Sequence, residues 1–229
     1  MAKLYVVATP IGNLEDITLR ALKILKAVDI ILCEDTRVTK KLLEHYKIET
    51  SLLSYHQHSK IKRINLILKF LKEGKNLALV CDAGTPGISD PGNKLIERAI
   101  KEFGDEVKII PIPGASVITA VASLAHFPMQ KFLFLGFLPK KKQNKILNEI
   151  AFSKYPVIIF ESPYRIIKTL EKLHSLNPQI EVVVAKELTK YFEKVFRGNV
   201  KEVIEVLKQS KIKGEFTIII NSRNKHGTK

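Results

Sequence analysis

Cysteine is nearly absent from the chain: Cys33 and Cys81 are its only two in 229 residues. Each sits inside a short apolar run, without the spacing of a zinc site and too few for a disulfide framework, so both read as small core hydrophobes. Long apolar runs are missing as well; nothing reaches the roughly 18–20 residues that cross a bilayer. Residues 1–11 carry a single Lys and break at Thr9-Pro10, which does not fit a secretory signal. No G-x-G-x-x-G occurs. The nearest approach to a P-loop, "GISDPGNK", puts Asn93 between its second glycine and Lys94, with no Ser or Thr following. These absences set aside a membrane protein, a disulfide-stapled secreted domain, a dinucleotide-binding fingerprint and a P-loop NTPase. A cytoplasmic location is expected.

Acidic residues are also scarce, at 23 Asp+Glu against 38 Lys+Arg. The imbalance is lopsided: residues 1–115 hold 18 basic and 14 acidic side chains, residues 116–229 hold 20 and 9, so the excess lies in the second half. Such a field favours a polyanion, and nucleic acid is the commonest in the cytosol. The competing reading is a lysine-rich composition of the kind thermophiles and AT-rich genomes produce. Only 7 of the basic residues are Arg, which keeps that reading open.

What is present is an alternation of β-rich apolar runs with helical patterns, the signature of α/β units with parallel strands. In the first half the runs are 4–8, 30–33, 77–81 and 107–110. Leu19, Leu22, Leu25 and Val28 mark one helix face, and Ile61, Ile64, Ile67, Leu68 and Leu71 another. The pattern pauses at "PIPGAS". A small-residue helix at 117–125 follows, and a second series begins with runs at 132–137, 157–160, 182–185 and 216–220. Helices near 163–173 and 199–208 lie among them. Two domains are expected, 1–115 and 116–229, with low complexity confined to "PKKKQNK" and the polar tail from Asn221.

Several strands end in charged residues: Cys33 runs into Glu34-Asp35, Cys81 into Asp82, Phe160 into Glu161, and Ala185 into Lys186-Glu187. In open parallel sheets ligands bind outside the carboxyl ends of strands. Asp90-Pro91 and Ser162-Pro163 read instead as N-caps followed by Pro at the first helical position. Capping does not account for Glu34, Asp82 or Glu187.

The stretch "LVCDAGTPGISDPG", residues 79–92, is an apolar strand giving way to a side-chain-poor loop. Pro86 and Pro91 remove N–H donors that an anion nest would use. A ligand that needs carbonyl acceptors and close backbone approach fits better than pyrophosphate, and S-adenosylmethionine, with its cationic sulfonium, is such a ligand. The other motifs point the same way: "VVATPIGNLEDIT", "ILCEDTRVTKKLL", "YHQHS", "PGASVITA", "FLGFLP", "FESPYR", "AKELTKYFEKVFRG" and "KGEFTIII" occur in order. Together they resemble the tetrapyrrole methylase superfamily over residues 3–221, and within it the branch that methylates ribosomal RNA of the small subunit.

The resemblance implies a two-domain α/β methyltransferase, homodimeric, with a mainly parallel N-terminal sheet and a mixed C-terminal sheet. It implies S-adenosylmethionine in a cleft between the domains and, as reaction, methylation of the ribose 2′-hydroxyl of a cytidine at the decoding centre of 16S rRNA in the small subunit. Carried over by motif, the cofactor positions are Ile11, Ala83, Gly84, Thr85, Ile88, Ser116, Val117, Glu161 and the backbone at Leu188. The chain departs from the porphyrin-modifying members in two places: their "GxGPGD" first loop is "ATPIGN" here, and the Asp of their "GDP" is Thr85.

Methyl transfer to oxygen is an in-line displacement, so positioning dominates; a base or a cation favouring the alkoxide adds to it. Glu187 and Lys190 are the catalytic candidates, with Lys186 and Glu193 nearby, against the alternative of a surface ion-pair array. Arg37 and Arg165 suit phosphate or ribose, unless they pair Glu34 or Glu161. Lys140, Lys141 and Lys142 form a candidate phosphate patch or a solvated loop. His56 and His58 suggest stacking or hydrogen bonding to RNA; with no third ligand cluster, no metal is expected. Lys186 completes the substrate set. Two rival functions stay open, a tetrapyrrole or diphthine methyltransferase of the same fold and a non-catalytic RNA-binding assembly factor.

Overall fold

The computed structural model describes residues 1–56, 59, 61–139 and 141–222. Contacts divide the chain into two compact units, Met1–Ser116 and Val117–Lys229.

In the first unit β1 (Ala2–Val7), β2 (Ile30–Cys33), β3 (Ser51–Ser54), β4 (Leu77–Leu79) and β5 (Val107–Ile112) form a wholly parallel sheet, ordered β3-β2-β4-β1-β5. Successive strand residues point to opposite faces. Leu77 and Leu79 join the core made with α3 (Ile61–Lys72) and α4 (Asn93–Phe103). Ala78 and Val80 join the core made with α1 (Leu19–Ala27) and α2 (Thr36–His45). Covered on both faces, these strands read as continuous apolar runs rather than alternating ones. Cys33 and Cys81 are free, buried thiols, Cys33 in the α1/α2 core. Four buried side chains on α3, Ile64, Ile67, Leu68 and Leu71, contribute about 1.5–3 kcal/mol each, so packing holds the helix.

The winding places the site. From β1 the chain moves to β2 and then β3 on one side, returns to β4, and crosses β1 to reach β5. The loops leaving β1 and β4, neighbours in the sheet, therefore depart in opposite directions. That is the switch point at which open α/β sheets form a crevice.

The second unit has β6 (Leu133–Phe137), β7 (Val157–Glu161), β8 (Glu181–Lys186), β9 (Lys194–Asn199) and β10 (Phe216–Asn221), ordered β6-β7-β10-β8-β9. β6 and β7 are parallel, while β10 runs antiparallel to both β7 and β8, and β9 antiparallel to β8. The sheet is thus mixed, as the resemblance implies. α6 (Gln143–Ala151), α7 (Ile166–Leu176) and α8 (Val200–Lys208) cover one face through a single core that includes Val157, Ile159, Val184 and Ile218. α5 (Val117–Ala122) contacts β10.

Both proposed proline caps are corrected. α4 starts at Asn93, after Gly92, whose φ of 155° and lack of a side chain leave no cap hydrogen bond; Asp90 lies against Cys81 instead. α7 starts at Ile166, and Ser162 serves it through its carbonyl, which accepts from the N–H groups of Arg165 and Ile166 at 3.1 Å each.

Candidate functional site

At the carboxyl edge of the first sheet three loops meet. Thr9, just past β1, exchanges two backbone hydrogen bonds with Gly84, Thr9 N–H to Gly84 O at 2.9 Å and Gly84 N–H to Thr9 O at 3.0 Å. The buried Thr9 hydroxyl donates to the Cys81 carbonyl at 3.2 Å, and the Thr85 hydroxyl donates to the Ala115 carbonyl at 3.2 Å. The loops after β1, β4 and β5 are therefore stitched together largely through main chain.

Gly84 is the tightest point. Its φ of +83° favours glycine, and a β-carbon there would lie 3.2 Å from Ile11 Cγ2. Ile11, Gly84 and Thr85 are thus brought to one place, with Ser116 next to Ala115 in the same loop. Ala83 and Ile88 are exposed in the β4–α4 loop, Ile88 at 41 %.

Beside these loops stand the acidic strand ends. Asp82 accepts the Asp35 N–H at 3.0 Å. Asp35 caps α2 and holds the Arg37 guanidinium at 2.6 Å, which keeps its carboxyl far below the ordinary range, at about 2. Arg37 pairs Asp35 rather than Glu34, and its side chain is 86 % exposed. Burial, then the neighbouring Asp82 charge, pushes the Glu34 carboxyl up, with His56 partly offsetting them. Asp90 is pushed up to about 6, first by burial and then by Glu34, with Asp82 adding and a hydrogen bond from Cys81 opposing. Burial, then Asp90, raises the Cys81 thiol. Glu34, Asp82 and Asp90 thus concentrate negative potential at the ends of β2 and β4.

This crowding has a measurable consequence. In the unfolded chain Asp90 titrates near 3.9; in the folded chain it holds its proton to about 6. Between those values the native state binds more protons, so the Asp90 contribution to stability falls as pH rises. The full shift is worth about 3 kcal/mol and, discounted for partial exposure, roughly 1–2 kcal/mol. Asp90→Asn is expected to gain that much over wild type at pH 7.5 and little at pH 4.5, measured by urea unfolding. Parallel pH profiles for the two proteins would remove the assignment.

In the second unit Glu161 ends β7 and Lys186 ends β8, both in register with Phe216 of β10. The Glu161 carboxylate is fully buried. It accepts from Arg165 Nε at 2.8 Å, the Ser162 N–H at 2.8 Å and the Thr169 hydroxyl at 2.9 Å. Arg165 also donates to the Leu138 carbonyl at 3.1 Å. Lys186, 9 % exposed, donates to the Lys211 carbonyl at 2.6 Å. Val117 is the first residue of α5, and Leu188 is buried.

Glu187 and Lys190 stand together in the segment after β8. Lys190 Nζ lies 3.1 Å from Glu187 Oε1 and 2.8 Å from Glu215 Oε2, and Glu187 Oε1 also accepts the Glu215 N–H at 2.9 Å. Burial pulls the Glu187 carboxyl upward, but the Glu215 N–H and the Lys190 ammonium outweigh it and leave it below the usual range. Burial likewise pulls Lys190 down, and Glu215 and Glu187 outweigh it and raise it. Glu187 and Thr189 both have positive φ, 51° and 63°, and the buried Thr189 hydroxyl has no hydrogen-bond partner among the described residues. A positive φ is a backbone outlier for a β-branched residue, and an unpartnered buried hydroxyl adds a desolvation cost to it.

His56 is exposed after β3, its N–H bonded to the Ser59 hydroxyl; Lys141 and Lys142 are exposed ahead of α6. His58 and Lys140 lie outside the described residues. Among the described residues no group of His, Cys, Asp or Glu is placed to hold a metal ion, and no helix is long and apolar enough to cross a membrane. Glu215, the third member of the Glu187 network, was not legible from sequence: "KGEF" brings it beside Glu187 only through the β8–β10 pairing.

Comparison with known proteins gives the family and the fold. Residues 3–204 match the family described as Tetrapyrrole (Corrin/Porphyrin) Methylases. Proteins named ribosomal RNA small subunit methyltransferase I are 48 % identical in Hydrogenobaculum sp. (97 % of this chain, 96 % of the relative) and 45 % in Thermotoga maritima (97 % and 100 %). The Bacillus subtilis relative is 43 % identical, matching 98 % of this chain and 76 % of its own length. Among solved structures, diphthine synthase superposes with a TM-score of 0.72 at 13 % identity, covering 96 % of this chain and 90 % of that one. Uroporphyrin-III C-methyl transferase from Thermus thermophilus, complexed with S-adenosylhomocysteine, gives 0.64 at 17 % identity, covering 96 % and 97 %. The chain belongs to the tetrapyrrole (corrin/porphyrin) methylase family, within it to the ribosomal RNA small subunit methyltransferase I group.

Proposed function

We propose that the chain methylates the ribose 2′-hydroxyl of a cytidine at the decoding centre of 16S rRNA, acting on the small ribosomal subunit as a cytoplasmic homodimer. The observation that carries the cofactor part is the meeting of three loops at Gly84, where a β-carbon would abut Ile11. S-adenosylmethionine, when bound, supplies a methyl group on a cationic sulfur. The residues present fit it: the turns allow close main-chain approach, and Glu34, Asp82 and Asp90 place negative potential where a sulfonium and an ammonium are welcome. Ile11, Ala83, Gly84, Thr85, Ile88 and Ser116 are its proposed contacts in the first unit, and in the second Val117, the main chain at Glu161, whose carboxylate is taken up by Arg165, Ser162 and Thr169, and the backbone at Leu188. The RNA part is supported by the names of relatives at 43–48 % identity and by the basic excess of residues 116–229.

In-line transfer requires the ribose hydroxyl to be held opposite the leaving sulfur. Glu187 and Lys190 are assigned to the reacting hydroxyl, Glu187 accepting its proton and Lys190 stabilising the developing negative charge. Arg37, His56, His58, Arg165, Lys186 and the lysines 140–142 are assigned to the RNA. A carboxyl depressed by the Glu215 N–H and then by Lys190 is a weak base, so its contribution belongs at the low end of the range for acid–base catalysis, about 10²-fold. Glu187→Gln is therefore expected to lower kcat about 10²-fold with KM little changed, read from labelled methyl transfer to undermethylated 30S particles. Unchanged turnover would remove the base. Running the wild type on 30S particles, free rRNA and uroporphyrinogen III in parallel tests the whole reading: label only in the porphyrinogen, or in none of the three, overturns it.

A further inference from the structure

A groove of about 540 Å³ lies where the start of α6 faces the first turns of α7, away from the Glu187 network in sequence. Its lining includes Lys142, Arg165, Lys168 and Lys172 and contains no Asp or Glu. Arg165, Lys168 and Lys172 recur at helical spacing and so share a face, with about 6 Å along the axis between the two lysines, on the order of one nucleotide step. Lys172 reaches across to α6, its Nζ 2.7 Å from Asn144 Oδ1. Among the described residues no carboxylate pairs with Lys142, Lys168 or Lys172, although Lys40, Lys69 and Lys208 each find one. At the rim stands Tyr164, 95 % exposed, in the turn that connects β7 to α7.

Unpaired cations beside a bare aromatic ring are the elements of a single-strand nucleic-acid site: the charges follow the phosphates and the ring stacks a base. An acidic protein segment would use the lysines and leave the tyrosine idle. We infer that this groove binds the sugar–phosphate backbone of a single-stranded stretch of the substrate RNA, with Tyr164 as the stacking platform for one of its bases. The inference rests on the reading of the chain as an RNA methyltransferase and adds to it a docking surface distinct from the proposed methyl-transfer residues.

The test is binding of a fluorescein-labelled single-stranded rRNA fragment across a salt series, with S-adenosylmethionine affinity measured separately by calorimetry. Lys168→Glu with Lys172→Glu is expected to flatten the plot of log K against log salt by about 1.4, two phosphate contacts' worth for a single strand. The milder Lys168→Gln, Lys172→Gln pair should move it in the same direction. Tyr164→Ala is expected to weaken single-strand binding by about tenfold without changing the slope, and to leave binding to the same fragment annealed to its complement unaltered. Cofactor affinity should stay at the wild-type value in all three variants. Groove variants with wild-type affinity and slope, in a chain that methylates rRNA, overturn this inference alone. A wild-type chain that takes up S-adenosylmethionine yet binds no RNA overturns it together with the RNA reading.

Discussion

Glu161→Ala is expected to destabilise the second unit by about 3–5 kcal/mol, the range for removing one partner of a buried ion pair. The carboxylate is fully buried and receives three donors, so its loss leaves the Arg165 guanidinium, the Ser162 N–H and the buried Thr169 hydroxyl without their acceptor. Arg165 is 26 % exposed and regains some water, which places the effect nearer 3 kcal/mol. Glu161→Gln keeps one carbonyl oxygen and the side-chain volume, and should lose about 1.5–3 kcal/mol, the worth of a hydrogen bond to a charged group. Urea unfolding followed by far-ultraviolet circular dichroism gives the order, since the chain has no tryptophan to report by fluorescence. Equal stability of all three proteins would show that the carboxylate contributes no net binding to its donors. The same variants bear on function, because Glu161 fixes Arg165, and Arg165 in turn holds the Leu138 carbonyl at the end of the "FLGFLP" segment.

Much of this architecture was legible in the sequence because the central strands are buried on both faces. β1, β2, β4, β7, β8 and β10 each fall on an apolar run, and Thr18, just ahead of the helical spacing that begins at Leu19, caps α1 through its side chain. The elements that escaped did so for separate physical reasons. β3 and β9 each lie at one edge of their sheet, paired on one side only, and "SLLS" and "KVFRGN" hold that place with little apolar character, whereas the other two edge strands, β5 and β6, carry apolar runs. α6 hid inside what read as low complexity: its first residues are polar, and Leu147, Ile150 and Ala151 alone are buried. α2 was masked by its own motif, since "EDTR" drew notice as chemistry while also supplying the cap, Asp35.

The candidate site divides along similar lines. Gly- and Pro-rich loops at strand ends are a local signal, and Ile11, Gly84 and Thr85, which the family resemblance picks out within them, do lie together. Side-chain pairing depends on register between distant strands. Asp35 rather than Glu34 as the partner of Arg37, the triple engagement of Glu161, and the capture of Lys190 by Glu215 are all set by the folded arrangement and not by local sequence. The alternative structural role for Arg165, pairing Glu161, is present in the fold, and the same residue also lines the α6–α7 groove.

Gly84→Ala is expected to lower S-adenosylmethionine affinity by more than tenfold, and Gly74→Ala to leave it unchanged, although the two glycines have nearly the same backbone, φ +83° and +85°. A β-carbon at Gly74 meets nothing within 4 Å, so that variant records only the strain of an L-residue in the left-handed region, about 1–2 kcal/mol of stability. At Gly84 the same strain is joined by contact with Ile11 Cγ2 at 3.2 Å, and the loop lies in a two-way hydrogen-bonded bridge to Thr9 that cannot yield without opening the edge of β1. Ile11 must then move, and it is one of the groups proposed to face the donor. The difference between the two variants isolates the loop junction from generic backbone cost, with calorimetric titration giving affinity and urea unfolding giving stability for each protein. Gly84→Val, with its branched β-carbon, should abolish detectable uptake while the second unit stays folded. Donor affinity in Gly84→Ala equal to that in Gly74→Ala would move the methyl-donor site away from these three loops, because no contact made there would then depend on how closely they approach.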